Sequence, residues 1–168
     1  MNSIYLPKHA LEVALIEPQI PQNCGNIART CSVSQTPLKL CGKLGFSLDE
    51  RHYKRAGLDY HDSLCLSHEE DLEAWLDMYW ERCIFFSSQA TTSLWDGQFQ
   101  TNSILVFGSE PSGFPKQLWQ RFESEQEKQK KLLRIPMRKS SEARCINLAT
   151  SVGICLYEAM RKVTQLAS

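Results

Sequence analysis

Residues 104–115 read ILVFGSEPSGFP: four apolar residues run straight into a Gly-Ser-Glu-Pro-Ser-Gly loop. A short apolar run bounded by turn residues is a buried strand, here opening onto a ligand-sized backbone turn. A second junction of this kind lies in residues 132–159, LLRIPMRKSSEARCINLATSVGICLYEA, where an apolar strand stops at Pro136, passes through a polar loop and enters a long amphipathic helix. Two strand ends with adjacent loops mark a candidate site.

Working outward, Glu12–Ile16 (EVALI) is a short apolar strand ended by Glu17-Pro18, and Pro21 keeps the residues after it out of helix. A helix then starts around Asn23, with Asn23 or its neighbour as cap and Ile27, Ala28 and Cys31 on one face. Leu38–Cys41 (LKLC) is a second strand, punctuated by Gly42 and Gly45. Ser67 and Glu70 have capping-box spacing before a helix that carries Leu72, Trp75, Leu76 and Tyr79. Cys83–Phe86 (CIFF) is a buried strand, and the Asp96-Gly97 pair is a turn able to join two short extended pieces. A short helix begins near Pro115, and residues 123–131 (ESEQEKQKK) read as a solvated, sign-alternating segment. The final helix spans residues 147–162, with an apolar stripe at Leu148, Val152, Cys155, Leu156 and Ala159.

Strands alternating with helices predict an α/β fold with a mainly parallel sheet flanked by helices, whose ligands sit at the carboxyl ends of strands. At 168 residues the chain fits one domain, residues 1–168, burying roughly 70% of its unfolded surface. Hydrophobic residues make up 42% and charged residues 23%, which excludes the composition of a disordered chain. No stretch approaches the ~20 apolar residues of a membrane span, and no signal-peptide pattern opens the chain. Seven cysteines, an odd number set largely within apolar runs, indicate buried thiols in a reducing, cytoplasmic setting. None stands at CxxC spacing, so no metal site is expected. With a formal net charge of zero, any contact to nucleic acid must come from a local cluster.

Four segments carry chemistry. In residues 23–31 (NCGNIARTC) two amides and a glycine precede a helix bearing Arg29; helix-start amides with a guanidinium suit a phosphate or a developing oxyanion, while a plain turn with a surface arginine is the alternative. Residues 51–61 form the densest basic and aromatic cluster, with Arg51, Lys54, Arg55, Tyr60 and His61 offering charges for phosphates and rings for bases. The loop at residues 108–113 has neither the dinucleotide fingerprint nor the triphosphate-binding loop. Its Glu110 either accepts from a ligand amine or ribose, or ties the loop down internally. At the second junction, backbone groups at residues 135–137 suit an adenine edge, and residues 144–148 suit its closure.

Taken in order, NxGNIxRxC, KRAGLDYH, FGSExxG and RIPM…NL…YEA span nearly the whole chain. The set resembles the SPOUT methyltransferase superfamily, and within it the small tRNA ribose methyltransferases acting at the wobble position. That resemblance implies a single domain with a deep C-terminal trefoil knot, which binds S-adenosyl-L-methionine in the knot and works as a homodimer on the anticodon stem-loop of tRNA. It implies donor contacts from Phe86, Gly108, Ile135 and Cys145, an apolar wall at Leu148, and polar roles for Glu110 and Asn147. Arg29 matches the arginine assigned to the ribose 2′-hydroxyl, and the cluster from Arg51 to His61 falls to the RNA. Three departures stand out: Pro111-Ser112 replaces the usual Thr-Arg, Cys145 and Ala149 replace two hydroxyl residues, and the RKSSEA loop is longer. A non-catalytic RNA-binding relative and a metabolite-binding regulator are the alternatives. The first and last helices, through Ile27, Cys31, Tyr157 and Met160, are the expected subunit interface.

Overall fold

Successive side chains of a strand point to opposite faces, so strands apolar at every position must be covered on both sides. In β1 (Glu12–Ile16), Val13 and Leu15 join one core and Ala14 and Ile16 the other. β2 (Leu38–Cys41), β4 (Cys83–Phe86) and β6 (Ile104–Phe107) divide in the same way, with Leu105 and Phe107 facing opposite to Ile104 and Val106. β3 (Leu66–Glu69), β5 (Thr92–Ser93) and β7 (Leu132–Arg134) complete a seven-stranded sheet in the order β3-β2-β1-β6-β4-β7-β5, every described pair parallel. The structure, a computed structural model, describes residue 6 and residues 8–48, 65–124, 131–138 and 145–165.

One face is covered by α1 (Pro21–Ser34) and α4 (Leu148–Gln165), through Ile27, Ala28 and Cys31 and through Val152, Cys155, Leu156 and Ala159. The other carries α2 (Leu72–Tyr79) and α3 (Lys116–Ser124), through Trp75, Leu76, Leu118 and Phe122. Phe85 centres that second core, with Phe122 and Phe114 edge-on at 4.8 and 5.7 Å between ring centroids. Each fully buried side chain of this size contributes about 1.5–3 kcal/mol. The strand order matters for function: from β1 the chain proceeds outward to β2 and β3, while β6 and β4 lie on its other side. Crevices in α/β sheets open where the order reverses, between strands such as β1 and β6.

The α/β class and the parallel sheet agree with the sequence expectation; several local readings do not. α1 starts at Pro21, two residues before Asn23, because proline's fixed φ suits the first helical turn. Its N-cap, Ile20, supplies no side-chain bond, and Asn23 lies inside the helix. Ser67 and Glu70 form no capping box: Ser67, His68 and Glu69 pair with Lys39, Leu40 and Cys41 in the sheet, and Asp71 caps α2 by accepting from the Ala74 amide at 3.0 Å. Asp96-Gly97 joins no hairpin, since residues 94–96 form a 3-10 turn and Thr92 and Ser93 run parallel to Leu133 and Arg134.

The expected interface also needs correction. Ile27, Cys31 and Met160 are buried within the chain's own core, where α1 and α4 pack together, and only Tyr157 of that set is exposed. Arg51, Lys54, Arg55, Tyr60 and His61 lie outside the described residues, as does most of segment 123–131. All seven cysteines are free thiols; Cys24, Cys31, Cys41, Cys83 and Cys155 are buried, and Cys65 and Cys145 are exposed. Burial pushes the thiols of Cys24, Cys31, Cys41 and Cys83 up to about 12. Among the described residues, no helix is long and apolar enough to cross a membrane.

Candidate functional site

A cavity of about 440 Å³ opens beyond the carboxyl ends of β4, β6 and β7, beside the starts of α1 and α4. Its apolar wall is built by register: Phe86 and Phe107 are cross-strand partners whose rings stack at 4.9 Å and 14°. Ile135 and Leu148, both packed on the same core, extend that wall. The glycine loop closes on itself. The Ser109 amide donates to the Gly113 carbonyl at 2.9 Å and the Gly113 amide to the Ser109 carbonyl at 2.8 Å. A Cβ on Gly108 would stand 2.4 Å from the Gly113 carbonyl carbon and 2.7 Å from the Phe114 nitrogen, so the turn admits only glycine there.

The polar side of the cavity is a relay joining three chain segments. Glu110 accepts from the backbone amides of Gln19 at 2.8 Å and Ile20 at 3.2 Å, and from Asn23 Nδ2 at 3.1 Å. No acidic residue occupies the first turn of α1, so Glu110 supplies from β6 the negative charge that a helix N-terminus favours. Asn23 Oδ1 in turn accepts from Asn147 Nδ2 at 3.1 Å. Asn147 Oδ1 accepts from the amides of Ala149 at 2.9 Å and Thr150 at 3.3 Å, which caps α4. Both amide orientations are thereby fixed, because the carboxylate at one end only accepts and the backbone N–H groups at the other only donate.

Phe86, Gly108, Glu110, Ile135, Cys145, Asn147 and Leu148, drawn from four places in the sequence, all line this one cavity. Of the two readings of Glu110, the described bonds are those of the internal tie. Arg29 does not join the group; it is exposed on α1 and absent from the cavity wall. Sequence reasoning missed Asn23 as the central bridge, Arg134 at the end of β7, and Ser109 between two residues it had singled out. Asn23 opens the NCGNIARTC segment and Arg134 immediately precedes Ile135, so proximity to named motifs was the available signal.

A volume of this size lies within the ~300–1,000 Å³ of small-molecule sites, and its apolar wall with few convergent polar groups is their usual lining. The model of the SpoU rRNA Methylase family matches residues 10–157, a span that takes in both strand-loop junctions and every member of the relay. The chain belongs to the SpoU methylase family. Within that family it is 39% identical to a Synechocystis protein provisionally named tRNA (cytidine(34)-2′-O)-methyltransferase, with 93% of this chain and 99% of the relative covered. It is 33% identical to the tRNA (cytidine(34)-2′-O)-methyltransferase of Yersinia pestis, over 91% of this chain and 94% of that one. A solved structure concerned with the 2-OH methylation of C/U34 on tRNA superposes on this SpoU-family fold with a TM-score of 0.79 at 36% identity, covering 94% and 98% of the two chains.

Proposed function

We propose that this SpoU-family chain is an S-adenosylmethionine-dependent methyltransferase acting on the ribose 2′-hydroxyl of the wobble nucleotide, C34 or U34, of tRNA. The observation that carries the reading is the convergence of Phe86, Gly108, Glu110, Ile135, Cys145, Asn147 and Leu148 on one strand-end cavity, in a chain whose relatives bear the names of that activity. The residues present fit the donor: Phe86, Ile135 and Leu148 suit its apolar edges, the backbone of residues 135–137 suits adenine, and the loop from Gly108 to Gly113 offers a glycine-closed rim.

When bound, S-adenosylmethionine supplies an electrophilic sulfonium methyl, so the protein's task is mainly to orient the attacking hydroxyl and to stabilise its charge. Arg29 is assigned to the RNA side. Its guanidinium is too weak an acid to serve as a base, and it acts as a fixed positive charge for the forming alkoxide or a neighbouring phosphate. Glu110, Asn23 and Asn147 are positioning residues that hold the glycine loop, the start of α1 and the cap of α4 in register. Arg51, Lys54, Arg55, Tyr60 and His61 are assigned to the anticodon stem-loop.

The same reading includes a C-terminal trefoil knot, a cytoplasmic setting and a C2 homodimer, since so small a domain has little surface for a tRNA. Ile20 and Val33 on or beside α1, and Ile154 and Tyr157 on α4, are the exposed apolar residues left for that contact. Calorimetric titration with S-adenosylmethionine tests the donor half of the proposal. Saturable binding supports it, and a chain that binds tRNA but gives no donor isotherm is instead a non-catalytic RNA-binding relative.

A further inference from the structure

Ser109 is 5% exposed, its backbone N–H and C=O are both committed to Gly113, and its Oγ has no hydrogen-bond partner. Among the described residues it shares that condition with Trp75 Nε1 alone. The two differ in setting. Trp75 belongs to the core on the far face of the sheet, whereas Ser109 lies in the cavity wall between Gly108 and Glu110. A buried hydroxyl left unpaired is costly, and orphaned groups in native structures mark strain or a ligand's place.

The surroundings do not supply the missing bond. The bonds of Glu110 run to Gln19, Ile20 and Asn23 at the start of α1, away from its own loop. Oγ is closed to solvent in this conformation, so a bond to a ligand in the adjoining cavity requires rotation about χ1 to another staggered well. Strand order then locates what it meets. β4 separates β6 from β7, so the ends of those two strands lie two strand spacings, about 10 Å, apart; Ser109 follows the first and the residue 135–137 backbone assigned to adenine follows the second.

We propose that the Ser109 hydroxyl hydrogen-bonds the ribose-to-methionine half of the bound methyl donor, completing a bond that the chain alone leaves open. This rests on the donor reading above and adds a binding residue to it. Two measurements on the full-length protein separate a ligand bond from a structural role: calorimetric affinity for S-adenosylmethionine, and the melting temperature without donor.

Ser109→Ala is expected to weaken donor affinity about five- to tenfold while the donor-free melting temperature stays level or rises, because an unpaired hydroxyl has been removed. Ser109→Cys, a somewhat larger side chain with a weaker donor, is expected to fall between Ala and wild type. Unchanged affinity in Ser109→Ala overturns the inference, and so does an affinity loss accompanied by a matching fall in the donor-free melting temperature. A wild-type chain that binds no donor overturns the functional reading itself, which keeps the two failures distinct.

Discussion

Glu110 and Asn23 stand 87 residues apart in the chain, and Asn23 Nδ2 donates to Glu110 Oε1 at 3.1 Å across the crevice between β6 and α1. With the Gln19 and Ile20 amides on the same carboxylate, this contact ties the glycine loop to the start of a helix that has no side-chain cap of its own. A glutamine at position 110 offers one acceptor oxygen and turns an NH₂ toward donors. Glu110→Gln is therefore expected to destabilise the fold by about 1–3 kcal/mol, read by urea or thermal unfolding. An unchanged midpoint would show that the tie contributes nothing.

Gly108 and Gly113 are both required by the loop, for different reasons. At Gly108 an added methyl meets backbone atoms at 2.4–2.7 Å, whereas at Gly113 nothing lies within 4 Å and only the φ of +68° opposes a side chain. Gly113→Ala should then cost about 1–2 kcal/mol, the ordinary penalty of the left-handed region, with the cavity preserved. Gly108→Ala should cost more and abolish donor binding, because the loop must open. Equal effects of the two in unfolding and donor titrations would contradict this assignment.

The strands were legible in the sequence because β1, β4 and β6 are apolar at nearly every position, a pattern a doubly covered strand requires. β3 was not. Its Leu-Ser-His-Glu sits at the sheet edge with no residue fully buried, so nothing in its composition separates it from a helix cap. The cavity residues were legible through motif resemblance, but the bonds among them were not. The Glu110–Asn23 and Asn23–Asn147 contacts span 87 and 124 residues, and only the folded sheet brings such positions together. That is also why Asn23 read as a local cap rather than as a bridge.

The buried thiols predict an alkaline limit to stability. Cys24, Cys31, Cys41 and Cys83 are raised by burial from 9.0 to about 12 in the folded chain. Below the unfolded value both states hold the proton and the contribution is fully present; above it the unfolded chain gives up protons first. Stability should hold to about pH 9 and fall progressively as the pH rises toward 12. Chemical unfolding across that range checks the sign, and a flat or rising profile would contradict the burial of these groups.

Arg29 is exposed on α1 and outside the cavity wall, so removing its charge should leave the donor site intact. In Arg29→Ala, S-adenosylmethionine affinity is expected within about twofold of wild type, while turnover on tRNA falls by ~100-fold or more, the scale of losing one transition-state charge contact. Parallel loss of affinity and turnover would move Arg29 to a structural role.

The most direct test of the functional reading follows labelled methyl transfer from S-adenosylmethionine to tRNA transcripts that differ only at the wobble ribose. The account predicts methylation of transcripts with cytidine or uridine at position 34 and none when that nucleotide carries a 2′-deoxyribose. Methylation that persists on the 2′-deoxy transcript, or no transfer to any tRNA by protein that binds the donor, would contradict it.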